Sequence, residues 1–166
     1  MLIDNCKIYC KDKPERIPQI TIGEVWNDLI NSFVIDPLSS SNKYQKMIID
    51  QDMFTKDFEG HTKIKFIEKE KNLKNWHSIT VESDLIEKTI ILTKDTIVKV
   101  NKKGFIPVSN IEAGDTVPFW FYKSFFDIKV AVHESLEDIV TYTGYNLITD
   151  SKEFIGSGLI IMSNEW

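Results

Sequence analysis

Short alternating runs, each closed by a polar turn, limit what this chain can fold into. Lys7-Ile8-Tyr9-Cys10, Lys63-Ile64-Lys65-Phe66-Ile67 and Ser78-Ile79-Thr80-Val81 alternate polar with apolar residues. Such alternation sends successive side chains to opposite faces of a strand. Lys88-Thr89-Ile90-Ile91-Leu92 and Thr96-Ile97-Val98-Lys99-Val100 follow, separated by Thr93-Lys94-Asp95. Asn101-Lys102-Lys103-Gly104 reads as a turn before the extended Phe105-Ile106-Pro107-Val108, and Gly114-Asp115 as another before the aromatic run at 117–122. Strands are expected again at 129–132, 139–142, 145–148 and 158–162. Runs recurring about every 8–12 residues with polar turns between them predict an all-β, barrel-like or sandwich fold.

One segment argues for a helix. Thr21 and Glu24 form a capping box, and Ile22, Val25, Trp26 and Leu29 recur at helical spacing. A second, shorter helix is expected within 108–113, and the Ser- and Asn-rich stretch 36–42 is the best loop, an exposed insertion. No repeat or shift in composition divides the chain, so residues 1–166 are expected to form one domain, long enough for a hydrophobic core.

Several functional classes drop out. A formal charge of −5 offers no basic face for nucleic acid, whose counterions a binding protein must displace. Of the 20 basic residues only Arg16 is an arginine, so bidentate clamping of phosphate or carboxylate is scarcely available. Frequent Ile, Asn and Lys beside that single arginine point to an AT-rich genome, as in many phages and low-GC bacteria. No apolar run approaches the ~18 residues that a membrane-spanning helix needs, so no membrane association is expected. The amino-terminal MLIDNCKIYCKDK has neither a basic leader nor an apolar core, so no signal peptide is expected, and the chain is placed in the cytoplasm or a virion. Cys6 and Cys10, if extended, stand ~13 Å apart at ~3.3 Å per residue, too far for a disulfide. They are expected to remain free.

Familiar catalytic signatures are missing. His61, His77 and His133 are scattered, with no short spacing that suggests metal, and are expected at the surface or at strand edges. No metal and no cofactor is expected. No phosphate-cradling glycine loop and no Gly-x-Ser-x-Gly elbow occurs. Phe119, Trp120, Phe121 and Tyr122, with Phe125 and Phe126 after them, are core on one face; any uncovered face is the best candidate for contact with another protein.

The order of three segments carries a resemblance. "IPQITIGEVWNDL" (18–29) follows the first strand, "TIILTKDTIVKVNKKGFIPVSNIEAGDTV" fills 89–117, and "YNLITDSKEFIGSGLIIMSN" runs from 145 to 164. Together they resemble the Hint fold of inteins and hedgehog autoprocessing domains over nearly the whole chain, at the length of a mini-intein without an endonuclease insert. The resemblance implies an all-β, horseshoe-like domain with one or two short helices, its two termini brought together at the centre.

In that family a Cys or Ser opens the chain, a "T-x-x-H" motif lies mid-chain, and the end reads His-Asn followed by Cys, Ser or Thr. Met1 falls on the opening position, and a thioether has no proton to lose and cannot form an acyl ester or thioester. Making Cys6 the nucleophile instead leaves too short a strand before the helix. Thr93 fills the Thr position, but Thr96 stands where the His is expected, and a hydroxyl does not exchange protons near neutral pH as imidazole does. Asn164 matches the cyclising Asn, whereas Ser163 precedes it and Glu165 follows it. A further family histidine near the last strands falls at Glu153.

The resemblance therefore implies a scaffold that cannot splice. The principal expectation is a vestigial intein-like domain that works as a structural or protein–protein interaction module, in a phage virion or assembly setting. An autoprocessing intein whose nucleophile has been replaced by Met1 is the alternative, and a small-ligand-binding β-barrel is a third. Cleavage at Asn164 would release only Glu165 and Trp166. The opening Met1 and the short stretch after Asn164 lead one to expect a free-standing polypeptide rather than an insert in a host protein.

Overall fold

Alternation in the sequence becomes alternation in burial. In the computed structural model, which describes residues 1–163, the strands are β1 (Lys7–Tyr9), β2 (Gln19–Thr21), β3 (Val34–Ile35), β4 (Tyr44–Ile48), β5 (Phe54–Lys56), β6 (His61–Leu73), β7 (Trp76–Glu82) and β8 (Glu87–Thr93). They continue as β9 (Ile97–Val100), β10 (Gly104–Pro107), β11 (Thr116–Phe121), β12 (Ser124–Ser135), β13 (Tyr142–Thr149), β14 (Glu153–Gly156) and β15 (Leu159–Met162). Among the described residues a single α-helix, α1 (Ile22–Leu29), begins where the capping box predicts: the Thr21 hydroxyl accepts the Glu24 amide at 3.3 Å. The shorter helix expected within 108–113 is a 3-10 turn, Val108–Asn110.

The strands build an eight-stranded sheet in the order β10-β9-β15-β11-β12-β7-β8, with β14 joined to β15. A five-stranded sheet runs β13-β6-β4-β3, with β5 joined to β6, and β1 pairs with β2. Ile8, Ile22, Trp26, Ile67, Ile79, Leu92, Phe119, Phe154 and Leu159 lie in one buried apolar cluster drawn from all three sheets and the helix. The fold class is all-β, as expected.

Two expectations need correction. The strand at 139–142 is a turn up to Val140: the Ile139 amide returns to the Leu136 carbonyl at 3.1 Å, and Ile139 is exposed, so its apolar side chain enters no sheet. Phe119 is core and offers nothing to a partner, because its ring packs over Gly158. At that glycine φ is +88°, and a Cβ would come within 2.4 Å of the Phe119 ring.

The start of the chain is threaded between the sheets. Leu2 is fully buried and exchanges backbone hydrogen bonds with Tyr145 of β13, both 2.8 Å, while bridging Leu92 of β8 on its other side. Gly144 permits this approach, since a Cβ there would lie 3.0 Å from the Met1 Cβ and 2.7 Å from a Leu73 methyl.

Candidate functional site

The turn between β8 and β9 is the anchor of the site. Its Thr96 amide closes onto the Thr93 carbonyl at 3.0 Å, and Lys94 and Thr96 are tied by backbone bonds to Asn75, Ser109 and Val108. These ties aim both threonine hydroxyls at Met1. The Met1 nitrogen donates to Thr93 Oγ1 and to Thr96 Oγ1, each at 2.6 Å, and the two hydroxyl oxygens are 2.8 Å apart. Thr96 donates to the Met1 carbonyl at 3.3 Å, and the Thr93 amide donates to the same oxygen at 3.0 Å. With the single Thr96 proton so used, Thr93 must be the donor in the hydroxyl–hydroxyl bond. Burial pushes the Met1 amine down to about 6, against a smaller opposing pull from Asp95 and Glu68.

Beside this cluster lies a cavity of about 320 Å³, lined by Met1, Tyr44, Glu68, Asn75, Asp95 and Asn146 among others. Glu68 is almost fully buried, and its carboxylate accepts from the Tyr44 hydroxyl and from Asn146 Nδ2 (3.0 Å). Burial, and then the Glu68 carboxylate, push the Tyr44 hydroxyl up. The side-chain oxygen of Asn75 is buried without a partner among the described residues.

The structure thus brings Met1, Thr93 and Thr96 into contact and sends other candidates elsewhere. Ser163 is buried against Thr149, whose amide and hydroxyl lie 3.3 Å from its Oγ. The Glu153 carboxylate turns to the Phe58 amide at 3.1 Å. Asn164 and Glu165 lie outside the described residues. Cys6 and Cys10 are free thiols; Cys6 is buried 3.0 Å from the Ser157 hydroxyl, and burial pushes its thiol up to about 11.

A pair of histidines escaped the sequence reading. His77, expected at the surface or a strand edge, is buried, and its Nδ1 lies 2.8 Å from His133 Nε2. His133 Nδ1 donates to the Ile111 carbonyl at 2.6 Å, and His77 Nε2 lies 3.1 Å from Glu137, which also binds Lys94 at 2.9 Å. Every ring nitrogen of both histidines is therefore engaged. The β7–β12 pairing, which sets Ser135 opposite His77 and His133 opposite Ile79, creates the contact; spacing in the sequence carries no trace of it. His61 is exposed, with its ring edge-on to Phe54. Among the described residues no three His, Cys, Asp or Glu side chains gather as a metal site.

Of the remaining aromatic candidates, Trp120, Phe125 and Phe126 are half-buried, while Phe121 and Tyr122 are exposed at the end of β11. Trp120 Nε1 donates to the Tyr9 hydroxyl at 3.0 Å, with the Lys56 ammonium 4.6 Å above its ring. Phe125 packs on Phe58, and Phe126 meets Phe119 edge-on at 6.0 Å.

This architecture is the intein-like Hint fold. The crystal structure of the transcription factor IIB Mvu mini-intein matches with a TM-score of 0.76 and 15% identity, over 97% of this chain and 98% of that one. The TvoVMA intein matches at 0.76 and 13% over 99% and 97%, and the PabCDC21-1 intein at 0.71 and 14% over 98% of each. At these identities the likeness is one of fold. No protein-family model matches the sequence, and no curated protein does. No helix among the described residues is long and apolar enough to cross a membrane.

Proposed function

We propose that this chain is an intein-like domain that no longer splices and serves as a structural or protein–protein interaction module. The observation that carries the reading is the occupant of the Thr93–Thr96 clamp: a methionine, its amine and carbonyl held by the two hydroxyls and the Thr93 amide. Opening an acyl bond there needs a nucleophile with a removable proton and a group that shuttles it near neutral pH. The Met1 thioether has no such proton, and Thr93 and Thr96 spend theirs on each other and on the Met1 carbonyl. The imidazoles of His77 and His133 are committed to one another, to Ile111 and to Glu137, which supports the same conclusion. Loss of a positioned acid or base costs about 10²–10⁴-fold by itself.

The interaction role is supported by Phe121 and Tyr122, large aromatic side chains left exposed beside half-buried Trp120 and Phe125. The low arginine content and the abundance of Ile, Asn and Lys favour a phage virion or assembly setting. Intact mass after a day with thiol at pH 7–8 tests the chemistry: it stays unchanged, whereas loss of Glu165-Trp166 or cleavage at Met1 would overturn the proposal. A variant with Met1→Cys, Thr96→His and Ser163→His, and a short peptide fused ahead of position 1 to supply the acyl group, asks whether the scaffold still supports acyl transfer: release of that peptide by added thiol is the readout. For the interaction role, co-purification from the source cells should fall when Phe121 and Tyr122 are both changed to Ser.

A further inference from the structure

The outer edge of β8 is open where an extended chain could lie. β8 pairs with β7 without a break, from Trp76↔Thr93 to Glu82↔Glu87, and is the last strand of its sheet. On its free side the only bridge among the described residues is Leu2↔Leu92. Beyond Leu2 the amino-terminal segment peels away: the Cys6 amide turns back to the Ile3 carbonyl at 3.1 Å, and the Asp4 carbonyl is taken by Gly23. Glu87 to Ile91 is left without a neighbouring strand, a run of ~17 Å at ~3.4 Å per residue.

Two cavities line this edge and share lining residues. One, about 440 Å³, is walled by Lys7, Tyr9, Ile86, Lys88, Phe121 and Tyr122, with Glu87 also on its rim. The other, about 290 Å³, lies between Ile3, Cys6 and Ser157 on one side and Lys88, Thr89 and Ile91 on the other. Lys7 and Lys88 belong to both. Neither ammonium has a carboxylate within ion-pair distance among the described residues, and Lys88 is half-buried. Burial first, and then the like charge of Lys7, hold its amine below the usual lysine range. An inward-facing lysine on an edge strand discourages pairing with a neutral or basic strand. The same charge favours a strand that brings a carboxylate.

We propose that the β8 edge receives an extended acidic segment of a partner protein as an added strand. Backbone bonds to Glu87–Ile91 would hold it, a carboxylate would lie between Lys7 and Lys88, and an apolar side chain would rest against Phe121 and Tyr122. The inference rests on the interaction reading above and names its partner chemistry; it does not depend on the loss of splicing.

The test uses a fluorescein-labelled octapeptide alternating Glu and Val, blocked at both ends, titrated against the full chain. Saturable binding should weaken at least tenfold in Lys7→Glu/Lys88→Glu and be absent for the Lys–Val counterpart. Hydrogen exchange of the unaltered protein, saturated with the peptide, should slow at least tenfold at amides within 87–91. Lys7→Glu alone, at an exposed position, should weaken binding without affecting the fold. No saturable binding at millimolar peptide, binding indifferent to Lys7→Glu, or protection elsewhere would overturn the proposal. So would equal competition by free acetate, which marks a bare anion site, or concentration-dependent protection of 87–91 without peptide, which marks a second copy of this chain. If the peptide fails while co-purification still depends on Phe121 and Tyr122, only the β8 proposal falls.

Discussion

Two polar clusters hang from the turn at residues 93–96, and they are built from opposite chemistries. On one side, Thr93 and Thr96 surround Met1 with hydroxyls and backbone groups, none of which titrates near neutrality except the amine they hold. On the other, Lys94 reaches Glu137, and Glu137 reaches the His77–His133 pair. The second cluster is a line of an ammonium, a carboxylate and two imidazoles. The imidazole pair ends on acceptors, the Ile111 carbonyl and the Glu137 carboxylate, and every ring nitrogen between them is engaged. The contrast teaches where the chain keeps its imidazoles: outside the clamp, locked into a structural relay, and absent from the position where the Hint resemblance expects one.

The comparison can be broken first from the Met1 side. Gly144→Val should have the largest effect, about 1–3 kcal/mol of destabilisation, because the new side chain overpacks against Met1 and Leu73. Urea denaturation would measure it. His77→Ala should cost about 1–2 kcal/mol by stranding His133 and Glu137, and should leave thermal stability more salt-dependent at Lys94. Thr93→Val keeps the shape and removes one hydroxyl; a loss of about 1 kcal/mol is expected. The Thr93→Val/Thr96→Val double variant should lose less than the sum of the two singles, since the hydroxyls share a bond.

A further set of effects is that of pH. The Met1 amine is held at about 6, below its unfolded value of 8.0, so between those limits the unfolded chain binds more protons and stability rises with pH. Adding one residue before Met1 turns the amine into an amide and should flatten the denaturant midpoint across that window. Glu137 is likewise shifted down, to about 2, by Lys94 and then His77, so its contribution is present above pH ~4.5 and is lost as pH falls toward 2. Glu137→Gln should remove that acid-range slope and leave the slope near neutrality untouched.

Local chemistry made much of the fold legible. Thr21 and Glu24 mark the start of α1, and the turn residues around Gly104 and Gly114 separate strands where they were expected. The elements that escaped were β2, β3, β4, β5 and β14, whose short runs (Gln19–Thr21, Val34–Ile35, Tyr44–Ile48, Phe54–Lys56 and Glu153–Gly156) show little alternation and are recognisable as strands only beside β1, β4, β6 and β15. Ile139 erred in the other direction: an apolar, β-branched residue in a segment that no neighbouring strand pairs. Within the site, Met1, Thr93 and Thr96 were legible through the Hint resemblance, whereas Glu68, Tyr44 and Asn146 were not, because no spacing links positions 44, 68 and 146.

What the sequence by itself determined is the chemistry available: a thioether at the first position, hydroxyls at 93 and 96, two free thiols, one arginine and three histidines. Side-chain composition is local, and no fold can add a proton-exchanging group where none is encoded. Tertiary structure alone decided who meets whom. Met1 reaches Thr93 because Leu2 is pinned between β13 and β8, and His77 reaches His133 because β7 and β12 pair in one register. Such contacts follow from burying apolar faces across strands far apart in the chain, a constraint that belongs to the whole sheet rather than to any segment of it.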